Sequence, residues 1–163
     1  MHDPIDHRRA QWARELPDLD TGPMDILGRI NRLASIMAPE IEATFREFGL
    51  ERGEFDVIAT LRRAGPPYRL SPTKLYSALM ITSGGLTHRL ARLAQAGLIQ
   101  RVPDPEDGRG LLVQLTERGR QLAETAFRED MRREALLLHV LAPQDRTDLQ
   151  NLLRRLGTIL GDK

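Results

Sequence analysis

Seven cations, Arg62, Arg63, Arg69, Lys74, Arg89, Arg92 and Arg101, fall between Val57 and Pro103, where the chain carries no Asp or Glu. The chemistry such a segment supports is recognition of a polyanion, whose phosphates Lys and Arg neutralise with release of counterions. A net charge of +1 over 163 residues conceals this local excess. On charge alone a solvated basic face is equally compatible with it. Residues 82–99, TSGGLTHRLARLAQAGLI, lie at its centre. Leu86, Leu90 and Leu93 recur at i, i+4, i+7 and make one buried stripe of a helix. At about 100° per residue, the opposite face carries Gly84, His88, Arg92 and Gln95, with Thr87 and Ala91 at its margin. Donors, acceptors and small gaps on one face suit a helix lying in a major groove. Gly84 and Gly85 leave the helix start open, so that Ser83 and free backbone N–H groups approach a phosphate.

Arg89 differs from its neighbours. The same rotation puts it about 60° from Leu86, on the flank of the buried face, where it points inward. An Arg near a core is costly unless a carboxylate or an anionic ligand pairs with it. Asp56, on the preceding helix, is the candidate partner; its other reading is an exposed ion pair with Arg52, worth at most about 1 kcal/mol. Covalent catalysis has no comparable support. His2, His7, His88 and His139 are scattered, and no HExxH, P-loop or GxSxG pattern occurs. The absence of cysteine excludes disulfides, thiol nucleophiles and Cys-based zinc sites. No enzyme, cofactor or metal site is expected.

The elements that must position these residues are legible on either side. SPTKLYSALM supplies a short helix with Ser71 as N-cap and Pro72 in the first turn, where its missing donor is not needed. Gly97 stops the second helix, and the two together read as a helix-turn-helix. LIQRV and LLVQL follow as strands joined by PDPEDGRG, a loop of turn formers. A helix pair with a two-stranded flap is a winged helix-turn-helix. Arg109 near the wing tip suits a narrow, electronegative minor groove, with Asp107 bracing the loop or pairing with Arg109. The expected DNA-facing set is Ser71, Thr73, Lys74, Ser83, Gly84, Thr87, His88, Arg92, Gln95, Arg101, Asp107 and Arg109. The alternative for each is plain solvent exposure.

Residues 1–20 read as an amphipathic arm with Ile5, Trp12 and Leu16 at helical intervals, ending before Pro17; the ordinary role of its single Trp is to staple the arm down by burying the ring. Residues 21–50 read as a long helix opened by Thr21, Gly22 and Pro23, with an apolar stripe from Met24 to Phe48 and a kink or break near Met37 caused by Pro39. The winged module occupies 51–118. Helices over 119–163, capped by Thr116 and reopened at Pro143, carry a broad leucine face that calls for dimerisation, with packing inside the monomer as the alternative. The fold class is therefore mainly α with a small β-wing, flanked by N- and C-terminal dimerisation helices. No apolar run approaches the roughly 20 residues that span a bilayer, so a soluble cytoplasmic protein without membrane partners is expected.

Residues 55–122 resemble the MarR family of winged-helix transcriptional regulators. The DPEDGRG wing and the LTERG helix start are specific to that family's pattern, and the flanking helices suit its dimerisation region. The resemblance implies a homodimer that binds a pseudo-palindromic operator, usually represses transcription, and is released by a small ligand. Trp12 in an added N-terminal helix, Asp56 in FDVIATL and Arg89 are similar to the family's urate-responsive subgroup. That likeness assigns ligand contacts to Trp12 and Arg89, and has an anionic ligand, urate or a related purine or aromatic anion, repel Asp56 and shift the second helix. His88 departs from the subgroup, in which Asn is common before this Arg. Two alternatives stay open: a phenolic or other aromatic inducer, as in drug-resistance regulators, and a winged module that serves protein interaction without DNA.

Overall fold

The computed structural model describes residues 3–79, 85–106 and 110–161. Compactness divides the chain into two units, one up to Ala43 and one from Thr44 on. In the first, α1 (Pro4–Glu15) is capped by Asp3, whose carboxylate accepts the Ile5 N–H at 2.8 Å. Ile5 is the buried side chain, seated on Gly28. Arg29 draws together Asp3, Asp6 and Asp25 at 2.6–2.8 Å. The expected Trp12 staple is not what holds the arm, since Trp12 is 48% exposed; one aliphatic side chain and an Arg shared by three carboxylates do so. A π-helical turn over Met24–Gly28 precedes α2 (Arg29–Glu47). Pro39 lies inside α2 without breaking it: the helix forfeits one hydrogen bond there and the adjoining turns continue.

The second unit is built on α3 (Arg52–Arg63), opened by a capping box in which Glu51 and Glu54 each bond the other's backbone N–H. Val57, Ile58 and Leu61 of α3 are fully buried, and Phe55 stacks on Phe45 with centroids 4.1 Å apart. Around α3 pack α4 (Pro72–Ala78), α5 (Leu86–Gln95) and α6 (Glu117–Leu137), which contribute Leu75, Leu90, Leu93, Ala123 and Ala126 to the core. Ser71 caps α4 and Thr116 caps α6, as their sequence positions predict. Gly85, at φ +94°, precedes α5. The helix thus begins at Leu86, while Ser83 and Gly84 fall outside the described residues.

Three antiparallel strands complete the unit in the order β1 (Arg69–Leu70), β3 (Leu111–Leu115), β2 (Ile99–Pro103). β2 and β3 are the expected wing, in register from Ile99↔Leu115 to Pro103↔Leu111. β1, only two residues long, is unforeseen; it pairs Arg69 with Gln114 and Leu70 with Val113. Asp107 and Arg109 of the wing loop lie outside the described residues. Beyond α6, a 3₁₀ turn (Leu138–Val140) leads to α7 (Pro143–Gly161), none of whose residues is buried. Among the described residues no helix is long and apolar enough to cross a membrane, and no cluster of His, Asp and Glu is arranged to hold a metal.

Candidate nucleic-acid interface and adjoining cleft

The helical projection of α5 holds in three dimensions: Leu90 and Leu93 are buried, while Thr87, His88, Ala91, Arg92 and Gln95 are exposed. Thr73 and Tyr76 of α4 and Thr87, His88 and Ala91 of α5 line one open concavity of about 820 Å³. Of the expected DNA-facing residues, Thr73, Thr87 and His88 therefore come together. Lys74 is exposed beside them, and Arg101 projects from the edge strand β2. The Ser71 hydroxyl is engaged as the N-cap of α4, accepting the Lys74 N–H at 3.2 Å. Tyr76, half-exposed on the same wall, was missed by the sequence reading; its place three residues after Thr73 is the signal that puts both on one helix face.

The basic segment is less uniformly basic in space than along the chain. Arg62 pairs with Glu124 of α6 at 2.8 Å and lies over the Tyr68 ring at 4.9 Å. Arg92, expected to be free to meet DNA, is gripped by Glu51 at 2.6 Å and Glu54 at 2.9 Å. Carboxylates from outside the segment neutralise both. Arg63, Arg69, Lys74, Arg89 and Arg101 have no ion-pair partner among the described residues and carry the remaining positive field.

Arg89 does turn inward. It is half-buried, and its guanidinium lies so close on Gly53 of α3 that a Cβ added there would overlap it. Asp56, one turn further along α3, is half-buried with no hydrogen bond or ion pair among the described residues, so neither the Arg89–Asp56 nor the Arg52–Asp56 pair forms; Arg52, Arg89 and Arg63 act on it through their fields. Burial pushes its carboxyl above the ordinary range despite those cations. Asp56 also lies at the edge of a cleft of about 970 Å³ between α3 and α6. Phe55, Ala59, Ala123, Phe127 and Met131 give that cleft an apolar lining, and Arg63 and Arg128 supply cations from opposite walls. Trp12 belongs to the other compact unit.

Across the same seam Asp130 of α6 is 5% exposed, and its Oδ1 has no hydrogen-bond partner among the described residues. Burial, reinforced by the charges of Glu134 and Asp56 and opposed by Arg52, pushes the Asp130 carboxyl up to about 6. A raised carboxyl means that the folded chain holds the proton more tightly than the unfolded one. Its stabilising contribution is then complete below about pH 4 and lost as pH rises through about 6. Asp130→Asn is accordingly expected to be more stable than the parent by about 1–2 kcal/mol near pH 8 and to show no gain near pH 4, as read by urea unfolding at the two pH values. Equal effects at both would rule out a buried, titrating carboxyl.

A helix pair whose second helix stands beside a three-stranded sheet, with a hairpin as flap, is a winged helix, the class of domain that presents a helix to a DNA groove. Residues 48–110 match the MarR family. The chain is 39% identical over 145 residues to the HTH-type transcriptional regulator PecS of Dickeya dadantii, across 89% of this chain and 87% of that protein. It is 30% identical over 140 residues to the HTH-type transcriptional repressor Rv2887 of Mycobacterium tuberculosis, across 85% and 96%. Among solved structures, wild-type apo MarR of Escherichia coli superposes with a TM-score of 0.64 at 27% identity, covering 80% of this chain and 96% of that one. AbsC of Streptomyces coelicolor, a MarR family transcriptional regulator, shares the fold with a TM-score of 0.74 at 22% identity, covering 89% and 98%. The chain belongs to the MarR family and is, like these relatives, a transcriptional regulator and not an enzyme.

Proposed function

We propose that the protein is a homodimeric repressor that grips a pseudo-palindromic operator with α5 and the wing and releases it on binding urate or a similar small anion. DNA-binding repression follows from family membership and from relatives named as a transcriptional regulator and a repressor. The effector rests on one observation: a cation of α5, Arg89, lies in the α3 seam near a carboxylate, Asp56, that has no ion-pair partner among the described residues. An anion entering there gains Arg89 and opposes Asp56, and either effect moves α5 relative to α3. Trp12, which the resemblance makes a ligand contact, reports on the effector through its fluorescence. A second effector class has its own support, because the apolar α3/α6 cleft with Arg63 and Arg128 on its walls suits an aromatic carboxylate.

The experiment is operator binding at the protein's own promoter, followed by anisotropy, with urate, related purines and phenolic carboxylates titrated in. Expected are an affinity of about nanomolar order, steep weakening with salt, half-sites about 10 bp apart, and quenching of the single Trp by the effective ligand. Micromolar, sequence-blind binding at every promoter tried would sink the repressor, and operator retention across the whole panel would sink the effector. Gly53→Ala sharpens the second point. Ala is the better helix former, and what it displaces is the flexible end of Arg89. Stability and operator affinity are therefore expected to hold within about threefold while the effector-driven shift falls about tenfold. An unchanged effector response in Gly53→Ala would remove Arg89 from the signal path.

A further inference from the structure

Arg92 stands on the outward face of α5, the position from which a phosphate contact is ordinarily read. Its guanidinium is nevertheless committed to α3. Nη1 donates to Glu51 Oε1 at 2.6 Å, and Nε lies 2.9 Å from Glu54 Oε1. The two carboxylates are not equivalent. Glu51 is exposed, whereas Glu54 is 3% exposed. Glu54 Oε2 accepts the Glu51 N–H at 2.8 Å in the capping box, and Oε1 faces Arg92. A buried carboxylate is tolerated only when paired and hydrogen-bonded, and among the described residues Arg92 is the one cation that meets Glu54. The planar fork of Arg offers Nη1 to Glu51 and Nε to Glu54 from one rigid frame, a two-nitrogen geometry that the single nitrogen of an ammonium does not reproduce. The grip also sits beside Leu93, whose side chain is 1% exposed, so that a polar strut and an apolar anchor on adjacent residues fix both the height and the roll of α5 on α3.

We propose that Arg92 is a positioning residue for DNA recognition: by bridging Glu51 and Glu54 it sets the orientation in which α5 offers Thr87 and His88 to the groove, and it does not itself neutralise a phosphate. This rests on α5 reading DNA, and not on the identity of any effector. The direct-contact alternative makes opposite forecasts. If Arg92 met a phosphate, Glu54→Gln would release it and tighten binding, Arg92→Lys would preserve much of the affinity, and Arg92→Ala would lower the salt slope by about one.

The test is operator affinity against salt for Arg92→Ala, Arg92→Lys, Glu54→Gln and the Arg92→Ala/Glu54→Gln double variant. Gln at the third position of a capping box preserves the cap, so Glu54→Gln isolates the strut. Expected are losses of about tenfold in each single variant, no further loss in the double variant, no rescue by Lys, and an unaltered salt slope. Tighter binding by Glu54→Gln, or rescue by Lys with a slope reduced by about one in Arg92→Ala, overturns the proposal. Hydrogen exchange of the free protein decides the point independently of DNA. Amides of α5 are expected to lose protection in Arg92→Ala and Glu54→Gln alike while those of α6 keep it, and unchanged α5 protection in both also overturns it. Failure of the parent to bind any operator, with α5 protection lost in both variants, would count against the repressor and not against the strut.

Discussion

Gly119→Ala is expected to destabilise the fold by about 2–4 kcal/mol and to lower the melting temperature by about 5–15 °C. At most interior helix positions this substitution gains up to about 1 kcal/mol, so the sign itself is informative. Gly119 lies in the first turn of α6, where its N–H donates to the Thr116 hydroxyl at 3.0 Å. A Cβ there would overlap the backbone carbonyl of Leu98 and stand 3.2 Å from the Leu115 side chain. The carbonyl is held in place because it accepts the Thr116 N–H at 3.1 Å, while the Thr116 hydroxyl ties the same turn through the Gly97 carbonyl at 2.8 Å. Leu98 is buried and leads directly into β2. The cost of Ala is thus a displacement of α6 from the base of the wing, which tears a cap, a strand start and the Leu98–Leu115 core together. Thermal and denaturant unfolding measure it. A variant that melts within about 1 °C of the parent would mean that α6 does not approach the wing so closely.

The same junction shows what sequence can and cannot disclose. Thr116 and the strands before it are local signals, a cap and two short apolar runs joined by turn formers, each decided within a few residues, and each was readable. So was the buried stripe through Leu90 and Leu93. What escaped depends on partners distant along the chain. Arg92 faces outward by helical rotation, and only the fold brings Glu51 and Glu54, about forty residues earlier, beneath it. Charge counting between Val57 and Pro103 overstated the free positive field for the same reason, as the neutralising carboxylates of Arg62 and Arg92 lie beyond that window. Arg89 could be directed inward from its angle alone, yet the notch that receives it is a glycine on another helix, and the solitude of Asp56 is visible only once its neighbours are placed. Trp12 misled because the usual burial of Trp is a tendency of composition, whereas the arm is held by Ile5 and by Arg29 among three carboxylates. Tertiary pairing, not local propensity, decides all of these.

The largest effect on DNA binding is expected from a site far from DNA, the apolar face of α7. Leu149, Leu152, Leu153, Ile159 and Leu160 are each more than 40% exposed, and at the end of α6 and the turn after it Leu136, Leu138 and Val140 are exposed as well. Contiguous apolar surface on this scale is uncommon on a monomer and marks an interaction site. The i, i+3, i+4, i+7, i+11 spacing of Leu149, Leu152, Leu153, Leu156 and Leu160 is the stripe one helix offers another, and in the proposed homodimer a second copy of the chain would supply it with the symmetry that a palindromic operator demands. Leu153→Glu with Leu160→Glu would bury two unpaired carboxylates on each side of such an interface, at a cost that a dimer of standard size does not survive. The expected outcome is a monomer by sedimentation, with operator affinity reduced by about 100-fold or more, because two half-sites held by one dimer become two independent weak contacts. Half-site affinity is expected to persist, since α3, α4, α5 and the wing have their own core in Val57, Ile58, Leu61, Leu75, Leu90 and Leu93. A parent chain that sediments as a monomer while binding its full operator tightly would overturn the dimer, and so would a double variant that loses thermal stability without any change in mass, for the leucine face would then be packing within its own chain.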